Sequence, residues 1–313
     1  SKRWVCMIYK NFGFNIRSDI ELPFFISYDT NGKVDIEISQ VITKPKMKGP
    51  EQEYSVSVNN SERLVCKIVE TSDALIMDFL NHVCFQYVKR NGVYYYYYYC
   101  YGEYSKDATE RLIGRFGMAY LLTWMGMTVL HGSAVTDRSE AICFLADSGG
   151  GKSSMAGLFV AEGCFLMADE LIVLKLDGEN ATLIPSSPYL QLSDDSLRRI
   201  SLNSYPCQPI VIQFDNNDIE LTNRIDLRTV SSREACNCDR MIILERWNRE
   251  KIEWHKYKKA DAYMKLLHYL YTPIIFPFMR KNLSSIIDRI ELEHVCFNDC
   301  FAQFDTLKKG IEG

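Results

Sequence analysis

Ala146-Asp147-Ser148-Gly149-Gly150-Gly151-Lys152-Ser153 is the stretch that decides the fold. It follows an apolar run at residues 141–145, which is typical of a buried strand, and it precedes a stretch that favours a helix. A strand, a glycine-rich loop and a helix in this order are typical of a phosphate-binding loop. The segment therefore predicts an α/β fold with a nucleoside triphosphate site at this turn.

Each residue type in the loop has a distinct role in holding phosphate. The glycines let several backbone N-H groups point inward, Lys152 reaches the β- and γ-phosphates, and the Ser153 hydroxyl can bind Mg²⁺. Ala146 occupies the first position, where glycine is usual. The alternative is a glycine-rich turn that only happens to end in Gly-Lys-Ser. The residues predicted to bind the nucleotide are Asp147, Ser148, Gly149, Gly150, Gly151, Lys152, Ser153 and Ser154.

Two flanking segments give the loop its context. Residues 129–135 contain His131-Gly132, and residues 163–174 contain Ala168-Asp169-Glu170. With the loop they resemble the catalytic domain of HPr kinase/phosphorylase, and more closely its small relatives encoded beside lasso-peptide and other peptide biosynthesis enzymes. The resemblance covers residues 117–245, and residues 14–23 look like the start of those relatives. It implies a P-loop HPr kinase/PEP carboxykinase-like mixed sheet domain. Residue patterns in the rest of the chain predict a small β-rich domain before it and a helical tail after it.

Asp169 and Glu170 are the candidate catalytic carboxylates. Transfer of a γ-phosphoryl group to an alcohol needs a carboxylate that orients the hydroxyl or accepts its proton. Both acids are predicted at the end of a continuous apolar strand, and neighbours on a strand face opposite ways unless the strand has ended. We therefore assign them as a pair, with Asp169 and Ser153 as the predicted metal ligands. The family has aspartate at both positions; this chain has Glu170, and two solvated acids are the alternative.

His131 has two interpretations. A histidine near the phosphates can orient a carboxylate or donate to a phosphate oxygen, yet it can equally be a hydrogen-bonded core residue. The resemblance favours the site role, because His131-Gly132 stands at the family position and glycine permits close backbone approach. The predicted catalytic set is therefore Asp169, Glu170 and His131.

A downstream acidic stretch and three arginines are weaker candidates. Residues 185–195 end in Asp194-Asp195, which either completes a Mg²⁺ shell or begins a helix capped by Ser193 or Asp194. Three arginines are candidates for clamping phosphate, and surface solvation is the simpler interpretation of each: Arg224, Arg228 and Arg233.

Composition and charge indicate a cytoplasmic enzyme. The 313 residues carry 36 Lys and Arg against 40 Asp and Glu, a net charge of −4, which argues against a nucleic-acid partner or an acidic membrane surface. We expect neither a secretory signal nor a transmembrane span. The 11 cysteines favour reduced thiols. A zinc site is not favoured, because the cysteines with the closest spacing lack the Cys-x-x-Cys pattern: Cys236 with Cys238, and Cys296 with Cys300 near His294.

Two domains are predicted, a β-rich domain at residues 1–105 and a kinase domain at 106–313. The first has short β-branched or aromatic runs at residues 4–9, 34–38, 54–58, 63–69 and 93–100. The last run contains Tyr94 to Tyr99, predicted either to pack within the protein or to form a peptide-binding surface. Helical spacing is predicted for residues 106–127, 260–271 and 283–304.

The sequence thus predicts an ATP-dependent kinase that uses Mg²⁺. The resemblance implies that its acceptor is a serine hydroxyl of a ribosomally synthesised precursor peptide. A nucleotide-binding regulatory protein with little or no turnover is one alternative, and a kinase for HPr or a small molecule is another. Homo-oligomer formation is left open.

Overall fold

The computed structural model describes residues 7–27, 32–58, 62–213, 219–272, 274 and 276–312. Its contacts divide the chain into two compact units, the first ending at Met125 and the second beginning at Gly126. Residues 212–213, 219–220, 272 and 274 belong with the first unit. The predicted boundary was 105/106; the helical segment between residues 106 and 125 instead belongs with the β-rich part.

The first unit contains a nine-stranded sheet in the order β3-β1-β2-β4-β9-β8-β7-β6-β5. Its strands are β1 (Met7–Asn11), β2 (Phe14–Ser18), β3 (Ile26–Ser27), β4 (Ile36–Gln40), β5 (Gln52–Val58), β6 (Glu62–Glu70), β7 (Ala74–Phe79), β8 (Val83–Arg90) and β9 (Val93–Cys100). The predicted run at residues 4–9 lies partly outside the described residues. A β-rich first part is what the short punctuated runs predict.

A helical segment with a π-helical middle part packs on this sheet. It consists of α1 (Lys106–Arg111), a π-helical segment (Leu112–Gly117) and α2 (Met118–Trp124). The tyrosine run supplies its contacts, since Tyr96 is fully buried and donates its hydroxyl to the Ile113 carbonyl at 3.1 Å. A Cβ at Gly117 would lie 1.7 Å from the Tyr96 hydroxyl, so only glycine fits there. Tyr96 therefore packs inside the unit, as ordinary sheet packing predicts.

The second unit contains a seven-stranded mixed sheet in the order β11-β10-β12-β13-β17-β19-β18, and β11 also pairs with β17. The strands of this sheet are β10 (Thr128–Thr136), β11 (Ala141–Leu145), β12 (Phe165–Asp177), β13 (Asn180–Ile184), β17 (Cys236–Arg246), β18 (Glu253–Lys256) and β19 (Glu291–Phe297). A three-stranded sheet has the order β14-β16-β15, with β14 (Tyr189–Leu192), β15 (Cys207–Gln213) and β16 (Ile219–Asp226). The later helices are α3 (Lys152–Ala161), α4 (Asp194–Arg199), a 3-10 turn (Arg228–Val230), α5 (Lys259–His268), α6 (Pro277–Ile287) and α7 (Phe304–Glu312).

Residues 283–304 were predicted as one helix, and this prediction was wrong. α6 ends at Ile287, and β19 occupies Glu291–Phe297, where it pairs in parallel with β17. The strand forms instead of a helix because pairing of β19 with β17 fully buries the side chains of Val295 and Phe297. Tertiary pairing thus overrides a local spacing that suits a helix.

An apolar core lies beneath the glycine-rich loop at residues 146–151. Phe144 of β11 packs against Phe159 of α3, and Phe159 packs edge-to-face against Phe304 of α7, with ring centroids 5.5 and 5.4 Å apart. All three rings are buried. This core fixes the strand before the loop relative to the helix after it, which holds the loop's two ends in place.

Within the described residues, no helix combines the length and apolar character that a bilayer crossing requires.

Candidate active site

The predicted strand, loop and helix are present in the order that the sequence indicates. β11 ends at Leu145 and α3 begins at Lys152. Gly149 and Gly151 have φ angles of 75° and 95°, the left-handed region that glycine enters without steric cost. Gly151 is the residue from which α3 starts. The loop conformation therefore depends on glycine at these two positions.

Ala146, the unusual first residue of the loop, is accommodated by Gly150. A Cβ at Gly150 would lie 2.6 Å from the Ala146 methyl and 3.0 Å from the Asp147 carbonyl oxygen. The Gly150 amide donates to that carbonyl at 2.9 Å. Because Ala146 is itself 1% exposed, its methyl is buried inside the turn without opening it.

Lys152 is buried at the base of the loop. Its Nζ donates to the carbonyl oxygens of Ala146 and Asp147 at 3.0 and 3.3 Å. Burial lowers the pKa of Lys152, while the charges of Glu170, Asp169 and Asp147 act in the opposite direction. A cation thus faces the loop with acids nearby.

Asp169 binds the loop and two other segments at once. Its Oδ1 accepts from the hydroxyls of Ser133 at 2.6 Å and Ser153 at 2.8 Å, and its Oδ2 accepts from the Gln191 amide at 2.8 Å. Burial, and then the charge of Glu170, raises the pKa of Asp169, although the three hydrogen bonds act against this rise. The structure brings Asp169 and Ser153 together, as the metal-site prediction requires.

Asp169 and Glu170 were predicted at the end of a strand, and this placement was wrong. β12 continues to Asp177, because the apolar residues after Glu170 go on pairing with β10. Glu170 instead interrupts the pleat, with a φ of 76° that is rare for a residue other than glycine. Its charge acts on both Asp169 and Lys152. Strain of this kind is often found where a side chain serves chemistry.

His131 lies beside Glu170 rather than in the core. Its Nε2 is 3.4 Å from the Glu170 carboxylate, and its side chain is 38% exposed. The backbone amide of His131 donates to the Tyr269 carbonyl at 2.8 Å, and its ring meets Tyr271 edge-to-face. This exposure and this partner fit the site interpretation.

Gly132, opposite Glu170 on β10, is required by close packing. A Cβ there would lie 2.5 Å from the Phe144 carbonyl oxygen and 2.5 Å from the Ile172 side chain. The close backbone approach expected at this glycine is therefore present.

The remaining predicted loop residues are placed less centrally. Asp147, Ser148 and Gly149 are exposed at the tip. The Ser154 hydroxyl shares a hydrogen bond with the Ser196 hydroxyl at 2.9 Å, which connects α3 to α4.

The acidic stretch after β14 begins a helix. Ser193 caps α4 by accepting from the Ser196 amide, and Asp194 lies in the first turn and accepts from the Asn223 side chain at 2.6 Å. The helix-cap interpretation is therefore confirmed. Of the three arginines, Arg224 is buried on β16, Arg228 pairs with Asp226, and Arg233 is exposed.

Three residues that contact the predicted site residues were not predicted from the sequence. Ser133 and Gln191 hold the Asp169 carboxylate, and His268, at the end of α5, has its Nε2 2.8 Å from the Asp147 carboxylate. Ser133 was within reach of prediction, because a β10 strand paired with β12 places it directly opposite Asp169. No local signal marks Gln191, which acts through its backbone, or His268.

The chain matches no protein-family model, and no curated protein matches it. Among solved structures it is similar to the HPr(Ser) kinase/phosphatase from Coxiella burnetii, with 11% sequence identity and a TM-score of 0.29 over 59% of this chain and 99% of that one. A superposition this loose shows only a likeness.

Proposed function

We propose that this protein is an ATP-dependent kinase that transfers the γ-phosphoryl group to a serine hydroxyl of a ribosomally synthesised precursor peptide. The observation that carries the proposal is the 2.8 Å hydrogen bond from the Ser153 hydroxyl to Oδ1 of Asp169. Ser153 follows the buried Lys152 in the chain. This one contact connects the phosphate loop to the pair of acids. Phosphoryl transfer requires carboxylates close to the phosphate site, and Asp169 and Glu170 meet this requirement.

The loop and Lys152 are suited to a triphosphate. The left-handed glycines Gly149 and Gly151 lead directly into the start of α3, where the first backbone N-H groups and the helix dipole favour anions. The Lys152 ammonium donates to two loop carbonyls, and these weak neutral partners are ones that phosphate oxygens can replace. The chain therefore binds negative charge with both backbone and side chain.

The donor set around Asp169 fits Mg²⁺. Hydroxyl and carboxylate oxygens are the hard ligands that Mg²⁺ prefers, and Ser153 and Asp169 present one each at hydrogen-bond distance. When bound, Mg²⁺ neutralises the charge that develops on the phosphates. Ser133 and the Gln191 amide hold the Asp169 carboxylate in one orientation, so that both of its oxygens are fixed.

Glu170 is the residue that we assign as base. The three hydrogen bonds to Asp169 hold its carboxylate at the loop, whereas the Glu170 carboxylate lies 3.4 Å from Nε2 of His131, whose side chain is 38% exposed. In this arrangement Glu170 accepts the proton of the acceptor hydroxyl, and His131 positions the carboxylate. The peptide acceptor rests on the resemblance of the His-Gly, loop and Ala-Asp-Glu segments to the peptide-kinase relatives.

The test is incubation with ATP, Mg²⁺ and the precursor peptide encoded beside the gene, followed by mass spectrometry. We expect a phosphate mass increment on a serine of the peptide. Lys152→Ala should abolish both ATP binding and transfer, whereas Glu170→Gln should lower kcat and leave the KM for ATP nearly unchanged. Lys175→Ala, an exposed lysine on the same strand as the acids, is the matched control.

Two other outcomes would replace this proposal. Transfer to HPr or to free serine but not to the peptide would make the protein a kinase of another class. Tight ATP binding without transfer to any of the three acceptors would indicate a regulatory nucleotide-binding protein.

A further inference from the structure

A second cluster of ligand-type side chains lies outside the kinase site. The Nε2 atom of His294 is 2.8 Å from a carboxylate oxygen of Glu245 and 3.6 Å from the sulfur of Cys296. The three ligand atoms all lie within 4.8 Å of one another. We propose that Glu245, His294 and Cys296 form a binding site for a borderline transition-metal ion, of which Zn²⁺ is the best match.

Strand pairing explains why these residues meet. β17 and β19 run parallel, and Glu245 pairs directly with Cys296. His294 is two residues before Cys296 on β19, so both side chains project from the same face of the strand. The cluster therefore stands on two paired backbones, which limits how far the ligand atoms can separate.

The chemistry of the set favours zinc over magnesium. Thiolate, imidazole and carboxylate are the three ligand types that Zn²⁺ takes in proteins, whereas Mg²⁺ takes oxygen ligands. Four-coordinate zinc needs neighbouring ligand atoms a little over 3 Å apart, given bonds of about 2.0–2.3 Å. The two distances from His294 Nε2 lie on either side of that value, so small side-chain rotations suffice.

Burial and exposure leave room for a fourth ligand. Cys296 is 5% exposed and the His294 side chain 13%, whereas the Glu245 side chain is 59% exposed. His255 of β18 is the residue opposite His294, and their rings are 5.9 Å apart between centroids. The fourth position is thus open to water or to His255.

The cysteine spacing of the sequence pointed to other partners. Cys300 lies in the apolar core with Phe304, and the Cys238 sulfur lies 3.4 Å from that of Cys143. Neither belongs to the cluster around His294. The pattern that matters is His-x-Cys on a strand beside a glutamate on its neighbour, a spacing that suits the two-residue repeat of β structure.

Cobalt titration of the full chain without nucleotide tests the site, because Co²⁺ replaces Zn²⁺ and its thiolate complexes absorb in the near ultraviolet. We expect one equivalent of Co²⁺ to bind with this absorption and Zn²⁺ to displace it, while excess Mg²⁺ does not. Cys296→Ser should abolish the absorption and weaken binding by about 100-fold or more, since even an outer partner of a ligand is worth 10- to 100-fold. Cys207→Ser, at an exposed cysteine, is the matched control and should behave as wild type.

Either of two results would overturn the proposal: wild-type protein without thiolate absorption at one equivalent, or Cys296→Ser with the same absorption as wild type. Glu245→Gln keeps the test decisive if the buried variant fails to fold, because Glu245 is exposed. That variant should retain the absorption and bind Co²⁺ about tenfold or more weakly. Affinity equal to wild type in Glu245→Gln would remove the carboxylate from the site and contradict the proposal as stated.

Discussion

Two buried aspartates, one in each unit, are held in opposite ways. Asp78 of the nine-stranded sheet is 1% exposed and accepts from the Lys44 ammonium at 3.0 Å and from the Tyr101 hydroxyl at 2.8 Å. Asp169 of the seven-stranded sheet is 4% exposed, its three hydrogen-bond donors are all uncharged, and another acid follows it in the chain. Asp78 has a cation from its own unit, whereas Asp169 has Glu170 beside it.

The pKa directions follow the same division. Hydrogen bonds with Tyr101 and Asp78 raise the pKa of Lys44, so the ammonium form of Lys44 is favoured. Burial, and then the charge of Glu170, raise the pKa of Asp169, so its charged form is disfavoured in the folded protein. A carboxylate whose charged form is disfavoured in the fold is a candidate for a functional role, which is the role that we propose for Asp169.

Among the changes that test this comparison, Asp169→Asn should have the largest effect. Removing the carboxylate charge should lower phosphoryl transfer by about 10²- to 10³-fold, because a preorganised electrostatic group at a reacting centre contributes that much. Activity is measured as initial rates of peptide phosphorylation at saturating ATP. Asp177→Asn, at the exposed end of the same strand, is the control and should retain the wild-type rate. Equal rates for Asp169→Asn and wild type would show that Asp169 is only structural.

The reciprocal change, Asp78→Asn, should affect stability instead. It removes the charged partner of Lys44 but leaves an amide oxygen that still accepts from Tyr101. We expect the free energy of unfolding to fall by about 1–3 kcal/mol, the cost of disturbing a buried polar group, with kcat unchanged. Urea denaturation gives this value, and Asp73→Asn, at an exposed aspartate, is the control. A loss of kcat in Asp78→Asn without a loss of stability would break the comparison.

The raised pKa of Asp169 predicts a specific pH dependence of stability. Because its folded pKa is above the unfolded value near 3.9, its contribution is complete below that pH and is lost as pH rises through the folded pKa. The stability of Asp169→Asn relative to wild type should therefore increase from acid to neutral pH, by about 1.4 kcal/mol for each unit of the rise.

Paired urea titrations of the two proteins across this pH range measure the difference. Saturating Mg²⁺ with ATP should reverse it at neutral pH, since a bound cation stabilises the ionised carboxylate. A difference that stays constant with pH would mean that the Asp169 carboxylate is not disfavoured in the folded protein.

The sequence was sufficient to predict the glycine-rich loop but not the residues that hold the Asp169 carboxylate. The loop could be predicted because its strand, glycines and helix are consecutive in the sequence, so the whole motif is visible in one short segment. Two of the three partners of Asp169 are distant in the sequence. Ser133, 36 residues away, is brought opposite Asp169 by the pairing of β10 with β12, whereas Gln191, 22 residues away, lies on β14 of the three-stranded sheet. The positive φ of Glu170 also had no signature, because nothing in an apolar run shows where a pleat will be interrupted.

The smallest expected effect concerns an exposed pair, His268 with Asp147. Their side chains are 64% and 77% exposed, so water screens the contact despite a separation of 2.8 Å. His268→Ala should change the free energy of unfolding by less than about 1 kcal/mol and the KM for ATP by less than about fivefold. Glu21→Gln, which removes a 55% exposed partner of Lys106 in the first unit, is the control. A much larger rise in KM, with stability unchanged, would show that His268 holds the tip of the loop ready for phosphate. In that case the exposed fraction of a polar side chain would not be enough to distinguish a structural residue from one that contributes to nucleotide binding.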